Sequence, residues 1–315
     1  MAFPRFGEAT SLLRKAEYMK RKNLDKLTIF MFLLPALLLF VGILVAPLIS
    51  SAYNSFFNWK GFGNKTYLGW KNYKDLFGEE VKFSKAIWHA LELAGLSVFI
   101  QLPLSLLLAL LLGRGIKGER FFLSVNFMPV LISTVVIGQL WRKIFDPEGL
   151  LNALLRVTKI LGENERNILW LAEKGTNGKS LLLFACFIPM LWQYVGYHML
   201  LMYAGVKSVD PSLREAAKID GATDWQVDRY VVIPSMKQII KVSVIFAVTG
   251  SLKAYDLIAV LAEIRTEAAA VPSTVLMNRM SLYGQYGMGS AISVILILLC
   301  FFFAIFIGAV FKERE

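Results

Sequence analysis

A chain of 315 residues that is 56% hydrophobic, with a mean hydropathy of +0.56, is too apolar for one water-soluble domain of ordinary composition. Its formal net charge of +11 raises nucleic acid as a partner, but the basic residues are spread over loops and gathered in the amino-terminal tail, the pattern of membrane-surface charge. The two cysteines, Cys186 and Cys300, lie inside apolar runs with neither metal-ligand spacing nor an activating neighbour, so thiol chemistry has no site.

Residues 1–26 are polar, with Arg14, Lys15, Lys20, Arg21, Lys22 and Lys26 close before the first apolar run, and read as a cytoplasmic tail. The run from about Leu27 to Ser50 is too long for a signal peptide's apolar region and is followed by only a weak cleavage site, so it reads as an uncleaved span. Further spans are expected at about Ile87–Leu112, Leu123–Trp141, Leu181–Gly205, Ile239–Leu261 and Gly289–Phe311, each with roughly the twenty apolar residues that cross a ~30 Å hydrocarbon core. The expected fold is therefore an all-α polytopic membrane protein with six transmembrane helices, a membrane domain over 27–311 and a short tail, 312–315. An even number of spans puts both termini in the cytoplasm, and the loop with Arg114, Lys117 and Arg120 also comes out there.

Between the first two spans Phe56, Phe57, Trp59, Phe62, Tyr67, Trp70 and Tyr73 form an aromatic set suited to the headgroup level or to a partner surface. From Pro147 to Gly162 the spacing of Leu150, Leu151, Leu154, Leu155 and Leu161 predicts an amphipathic outer helix. The stretch Lys174–Ser180, KGTNGKS, ends like a phosphate-binding loop, but Glu173 stands where glycine is required and no buried strand leads into it. His89 and His198 are the only histidines and neither has a catalytic or metal-binding neighbourhood. No catalytic residue, metal or bound cofactor is expected, and the chain does not read as an enzyme.

Polar chemistry inside the apolar runs marks a different kind of site. Just after Pro189, span four carries Trp192, Gln193, Tyr194 and Tyr197, with Gly196 allowing a neighbour to approach. Aromatic faces with amide and phenol groups suit a neutral polyhydroxy solute, although the same residues also serve plain packing or an interfacial position. In span five, Lys253 falls ~21 Å along a continuous helix from Ile239, with Asp256 three residues on and on the same face. There the two either neutralise each other or face a water-filled cavity.

The stretch Glu215–Pro234, EAAKIDGATDWQVDRYVVIP, is a polar island of about twenty residues between two apolar runs, so it stands in water beside the membrane. Pro211 and Ser212 open a helix, Gly221 interrupts it, and Trp225, Val227 and Tyr230 resume an amphipathic pattern. A helix, a glycine turn and a second helix, with small alanines on one side, suit docking into a protein groove.

With its glycine and terminal proline at these spacings, this stretch resembles the EAA loop of ABC importer permeases, with Val231 and Ile233 at places where the family form reads Ile-x-Leu-Pro. Asn58-Trp59, Leu68-Gly69, Asn72-Tyr73, Pro129, Trp141 with Phe145, Pro147 and Gly149, Gly250-Ser251-Leu252-Lys253 and Tyr255-Asp256-Leu257 extend the resemblance to the carbohydrate-uptake branch over about residues 28–311, similar to the maltose-type first permease. One departure follows Leu261, where AEIRTEAAAVPST replaces a Thr-Gly-Gly-Pro-like turn.

The resemblance implies a type I importer permease in a bacterial or archaeal plasma membrane. Its implied partners are a homologous second permease subunit, two cytosolic ATPase subunits holding ATP and Mg, an extracytoplasmic solute-binding protein and lipid, with no nucleic acid. It assigns the loop 206–238 to ATPase coupling through Glu215, Ala216, Ala217, Asp220, Gly221 and Pro234. It assigns solute contact to Trp192, Gln193, Tyr194, Tyr197, Gly250, Ser251, Tyr255 and Asp256. A permease for a sugar phosphate, or an ion-coupled secondary transporter, are the alternatives that the residues leave open.

Overall fold

The computed structural model of the chain describes residues 28–78, 81–162, 165–174, 180–262 and 266–312. The basic tail 1–26, residues 175–179 of the KGTNGKS stretch, residues 263–265 of the departing turn and the last three residues lie outside the described residues. The chain forms two units, 1–53 and 54–315. The described part of the first is essentially one apolar helix, α1, Thr28–Asn54.

The second unit opens with a two-stranded antiparallel hairpin, β1 Phe57–Asn58 and β2 Thr66–Tyr67, in which Phe57 faces Tyr67. A short helix α2, Lys71–Leu76, follows, and Asn72 donates to the carbonyls of Ser55 and Phe57, fastening the hairpin's base. The aromatic set packs here edge to face, with Phe56 on Trp70 at 5.1 Å and Phe57 on Tyr67 at 5.4 Å. This hairpin is the one addition to an otherwise helical architecture among the described residues.

The helices that follow are α3 Phe83–Gly113, α4 Glu119–Leu131, α5 Thr134–Ile144, α6 Leu150–Val157, α7 Leu182–Ser208, α8 Pro211–Ile219, α9 Asp224–Ser235, α10 Lys237–Leu252, α11 Asp256–Ala262, α12 Pro272–Met277 and α13 Tyr286–Val310. Among the described residues α1, α3, α7 and α13 are each long and apolar enough to cross a membrane alone. Two further spans are bent pairs, α4 with α5 at 96° and α9 with α10 at 74°, so six spans result when each pair counts as one. The helical membrane architecture thus has the form expected, with two of its spans broken.

Both breaks correct the simple picture of straight spans. In the third, Pro129 sits within α4, and the chain turns just beyond it, where Ile132 adopts an extended conformation (ψ 139°) and Ser133 caps α5. In the other bent pair the chain turns at Met236, between Ser235 and Lys237, and α10 is then cut short at Leu252 after the weak helix formers Thr249, Gly250 and Ser251. Lys253 caps that end and Asp256 begins α11, so the two charges do not share one helical face.

Prolines also leave a signature in the regular helices. The π-helical turns Val41–Val45, Ser97–Gln101 and Asp228–Val232 each end two residues before a proline, at Pro47, Pro103 and Pro234. A widened turn makes room for the carbonyl four residues upstream, with which a proline ring collides in an ordinary α-helix.

Two apolar clusters hold the second unit together. One joins Phe83 and Leu93 of α3, Leu182 and Phe187 of α7, Leu252 of α10 and Ile292 of α13. The other joins Leu110 and Leu112 of α3, Met199, Met202 and Val206 of α7, and Val227, Val232 and Met236 beside the loop. Lipid offers these helices no hydrophobic drive, so close packing must hold them. At Gly196 an added Cβ would stand 1.8 Å from the Asn126 carbonyl oxygen, which makes that glycine the contact point of α7 on α4.

Candidate functional site

A cavity of about 410 Å³ lies among α3, α4, α5, α7, α10 and α11. The π turn of α3 contributes Ser97 and Gln101, α5 contributes Thr134, and α7 contributes Tyr194, Tyr197 and His198. The broken end of α10 and the turn beyond it supply Thr249, Gly250, Ser251, Lys253, Tyr255 and Asp256. Breaking the helix is what turns this stretch of backbone and its charges toward an open space, the one place where irregular backbone is tolerated at membrane depth.

Each polar group has a definable role. Ser251 Oγ donates to the Ala247 carbonyl at 2.9 Å and stands 3.2 Å from Ser97 Oγ, so both buried hydroxyls tie α10 to α3. Thr249 Oγ1 donates back to Ile245 at 2.7 Å. Tyr194 and Tyr197 remain more than a third exposed, the Tyr197 ring standing edge to face with His198 at 5.3 Å. No atom lies within 4 Å of a Cβ built on Gly250, so that position opens on space. Lys253 and Asp256 both line the cavity, and among the described residues they form no ion pair with each other.

Of the eight expected solute-contact residues, Tyr194, Tyr197, Gly250, Ser251, Tyr255 and Asp256 are brought together on the cavity wall. Trp192 and Gln193 are not on it. Trp192 stands edge-on to Trp141 at 6.2 Å, while Gln193 is buried and its Nε2 donates to Thr134 Oγ1 at 3.4 Å. Its Oε1 is buried without a partner among the described residues. Ser97, Gln101, Thr134, His198 and Thr249 were missed from the sequence, while Lys253, left open between a pair with Asp256 and a cavity position, lines the cavity. Ser97 and Gln101, two polar residues one turn apart in a long apolar run, were the available signal.

The loop below is a separate construction. Asp210 caps α8 by accepting from the Ser212 N–H at 2.9 Å, and Pro211 occupies the first turn, where its missing donor costs nothing. Hydrogen bonding from Ser212, its backbone N–H foremost, holds the Asp210 carboxyl below the usual carboxylate range. Gly221 ends the helix at φ +85°, with the Ala222 N–H on the Ala217 carbonyl and the Gly221 N–H on that of Lys218, both at 3.0 Å. That is a Schellman closure, which a left-handed glycine makes possible.

A capping box, Thr223 with Gln226, starts α9, and Lys218 pairs with Asp224 at 2.9 Å across the turn. Glu215, Ala216, Asp220, Gly221 and Pro234 are exposed and Ala217 is half-buried. Leu213, Ile219, Trp225 and Tyr230 are also exposed, an apolar group on an otherwise polar loop. Arg114, at the end of α3, reaches the buried Asp228 carboxylate at 2.5 Å. Glu119, at the start of α4, accepts from the Tyr203 hydroxyl and from Lys207.

Polar groups and aromatic side chains around a cavity between apolar helices are the features of a helical membrane protein with room for a polar solute. The chain belongs to the family of binding-protein-dependent transport system inner membrane components, which it matches over residues 101–314. It is similar to the probable ABC transporter permease protein YurN of Bacillus subtilis, with 34% identity over 240 residues covering 74% of this chain and 78% of that one. The osmoprotective compounds uptake permease protein GgtC of Synechocystis is 30% identical over 279 residues, covering 85% and 93% of the two chains. The diacetylchitobiose uptake system permease protein NgcF of Streptomyces coelicolor is 27% identical over 248 residues, 75% and 68% of the two.

Among solved structures, a bacterial ABC transporter involved in the import of the acidic polysaccharide alginate shares the fold, with a TM-score of 0.76 at 23% identity over 95% of this chain and 98% of that one. The chain is thus a multi-pass inner-membrane permease subunit and not an enzyme, since ATP hydrolysis resides in a separate subunit in this family.

Proposed function

We propose that this permease forms half of the translocation pathway of an ATP-driven, binding-protein-dependent importer for a sugar or oligosaccharide. Its partners are a homologous second permease, two cytosolic ATPase subunits carrying ATP and Mg, and an extracytoplasmic solute-binding protein. Both termini and the loop 206–238 face the cytoplasm, where the loop seats in the ATPase through Glu215, Ala216, Ala217, Asp220, Gly221 and Pro234. Solute contacts are made by Tyr194, Tyr197, Gly250, Ser251, Tyr255 and Asp256, with Trp192 and Gln193 supporting the wall from behind.

The observation that carries this reading is that one pair of helices bears both features. From Tyr197 to the end of α7 at Ser208 is roughly 16 Å, and from Lys237 to Gly250 along α10 is about 20 Å. Any tilt imposed on the loop is therefore delivered to two walls of the cavity. ATP binding on one side and loaded binding protein on the other bias a linked equilibrium between inward and outward openings.

The solute class follows from the wall. Two exposed tyrosine rings match the C–H faces of a pyranose, and Lys253 with Asp256 offers one donor and one acceptor for hydroxyls. The names of relatives that take up diacetylchitobiose, starch degradation products and lactose support it. A sugar phosphate is the second reading, favoured by Lys253, the one Lys or Arg on the wall among the described residues, and opposed by Asp256.

The test is to purify the tagged chain in mild detergent, identify the ATPase that accompanies it, and reconstitute the assembly with its binding protein. ATP-dependent uptake of a neutral disaccharide, uncompeted by sugar phosphate, is the expected result. Absence of any ATPase would refute the reading.

A further inference from the structure

We infer that Arg114 and Asp228 form a strut that makes α3 move with the coupling loop, although α3 is not joined to that loop in sequence. The inference rests on the loop's proposed coupling role and adds positioning residues to it. Asp228 opens the π turn that follows the first turn of the loop's second helix, its side chain 6% exposed, and accepts from Arg114 Nη2 at 2.5 Å. Arg114 is the capping residue at the end of α3.

The rest of α3 explains why such a link has consequences. Its π turn puts Ser97 and Gln101 on the cavity wall, and Gln101 lies about 20 Å along the helix from Arg114. Close to the strut, Gly113 packs so tightly on α7 that an added Cβ would stand 2.3 Å from Val206 Cγ1. The helix therefore cannot slide freely at this end, and a displacement of Asp228 reaches Ser97 and Gln101 as a tilt. Ser97 in turn touches Ser251 of α10, which closes the circuit of walls.

A second observation supports the same device. The turn 114–118 between α3 and α4 is held on its other side by Glu119, which Tyr203 and Lys207 of α7 both contact. The turn between α3 and α4 is gripped at both of its ends, at Glu119 by α7 and at Arg114 by the loop. A buried carboxylate with one long-range partner is a poor choice for stability alone, because removing the partner strands a charge. It is a good choice for a rigid joint, since a short charge-assisted bond resists stretching.

The experiment compares the unmodified assembly with Asp228→Asn, Arg114→Gln and the conservative Arg114→Lys, measuring ATPase co-purification, melting temperature, ATP hydrolysis and uptake. Asp228→Asn keeps the shape and strands no buried charge. It is expected to retain the ATPase and to lower uptake per ATP hydrolysed by about five-fold or more, the low end of measured couplings. Arg114→Gln should lower the ratio too, but with a lower melting temperature because it strands the buried Asp228 carboxylate, so Asp228→Asn is the deciding variant. Arg114→Lys should recover part of the ratio.

An unchanged ratio in Asp228→Asn overturns the inference. So does loss of the ATPase or of melting temperature in that variant in step with the ratio, since the pair then merely shapes the loop. If the unmodified chain brings no ATPase, the coupling role itself has failed, which is a separate result.

Discussion

The loop 210–234 takes most of its order from itself, whereas the cavity takes its wall from residues between Ser97 and Ile258. In the loop, the Asp210 cap, the Gly221 closure, the Thr223 capping box and the Lys218–Asp224 pair all join residues no more than six apart. Arg114 on Asp228 is the distant exception. In the cavity, neighbours such as Ser97 and Ser251 are 154 residues apart in sequence. In the proposed transport cycle a module of the first kind would keep its shape while the membrane helices move, and a site of the second kind would change shape with them. That division of labour is what a linked two-state transporter needs.

The largest effect that tests this contrast is at the helix contact on which the cavity depends. Gly196→Ala places a methyl against the Asn126 backbone, which no side-chain rotation relieves, and is expected to cost more than about 3 kcal/mol. Gly250→Ala meets nothing and gains helix propensity, so it should be neutral or stabilising by up to about 1 kcal/mol. Melting curves in detergent separate the two, and equal behaviour would mean that α7 does not rest on α4.

Next in size are the loop variants. Gly221→Asp forces a side chain into the left-handed region, at about 1–2 kcal/mol, and adds charge to the docking face. It should abolish ATPase co-purification while the melting curve of the membrane helices stays in place. Glu215→Ala, which strains nothing, should weaken docking alone. Retention of the ATPase by both variants would show that the loop is not the dock.

Asp256→Asn sharpens the contrast from the other side. It removes a carboxylate from the cavity wall and leaves the loop untouched. Uptake should fall about ten-fold, the equivalent of one charge-assisted hydrogen bond, with ATPase docking unaltered. Normal uptake would take Asp256 out of the site.

The same difference in construction decides what the sequence discloses. Helix, glycine turn and second helix were legible in the loop because each signal lies within a few residues of its effect, as with Pro211, Gly221 and the amphipathic Val227. The spans were legible as apolar runs, but hydropathy carries no direction, so Pro129 did not announce a 96° bend three residues later. Thr249, Gly250 and Ser251 weaken the end of α10 at Leu252, but such residues are common in membrane helices and did not by themselves announce a stop there. Ser97, Gln101 and Thr134 reach the wall only through packing between distant helices, and hydroxyls in apolar runs are common enough to pass unnoticed. Trp192, the most conspicuous side chain of span four, stands against Trp141 instead of on the wall.

The smallest effect concerns the loop's own cap and its response to acid. The Asp210 carboxyl titrates below its ordinary value because Ser212 donates to its charged form. A group depressed in this way stabilises the folded loop fully above its unfolded pKa and loses that contribution as pH falls through the folded value. Hydrogen exchange of residues 211–219, corrected for intrinsic rates, should therefore be constant from pH 8 to about 5 and quicken only below the ordinary carboxylate range. Asp210→Asn keeps an oxygen acceptor for the Ser212 N–H and removes the titration, so its exchange should stay flat to the lowest pH at which the assembly survives. A quickening that persists in Asp210→Asn would assign the acid sensitivity to another group and leave Asp210 as a cap without a titrating role.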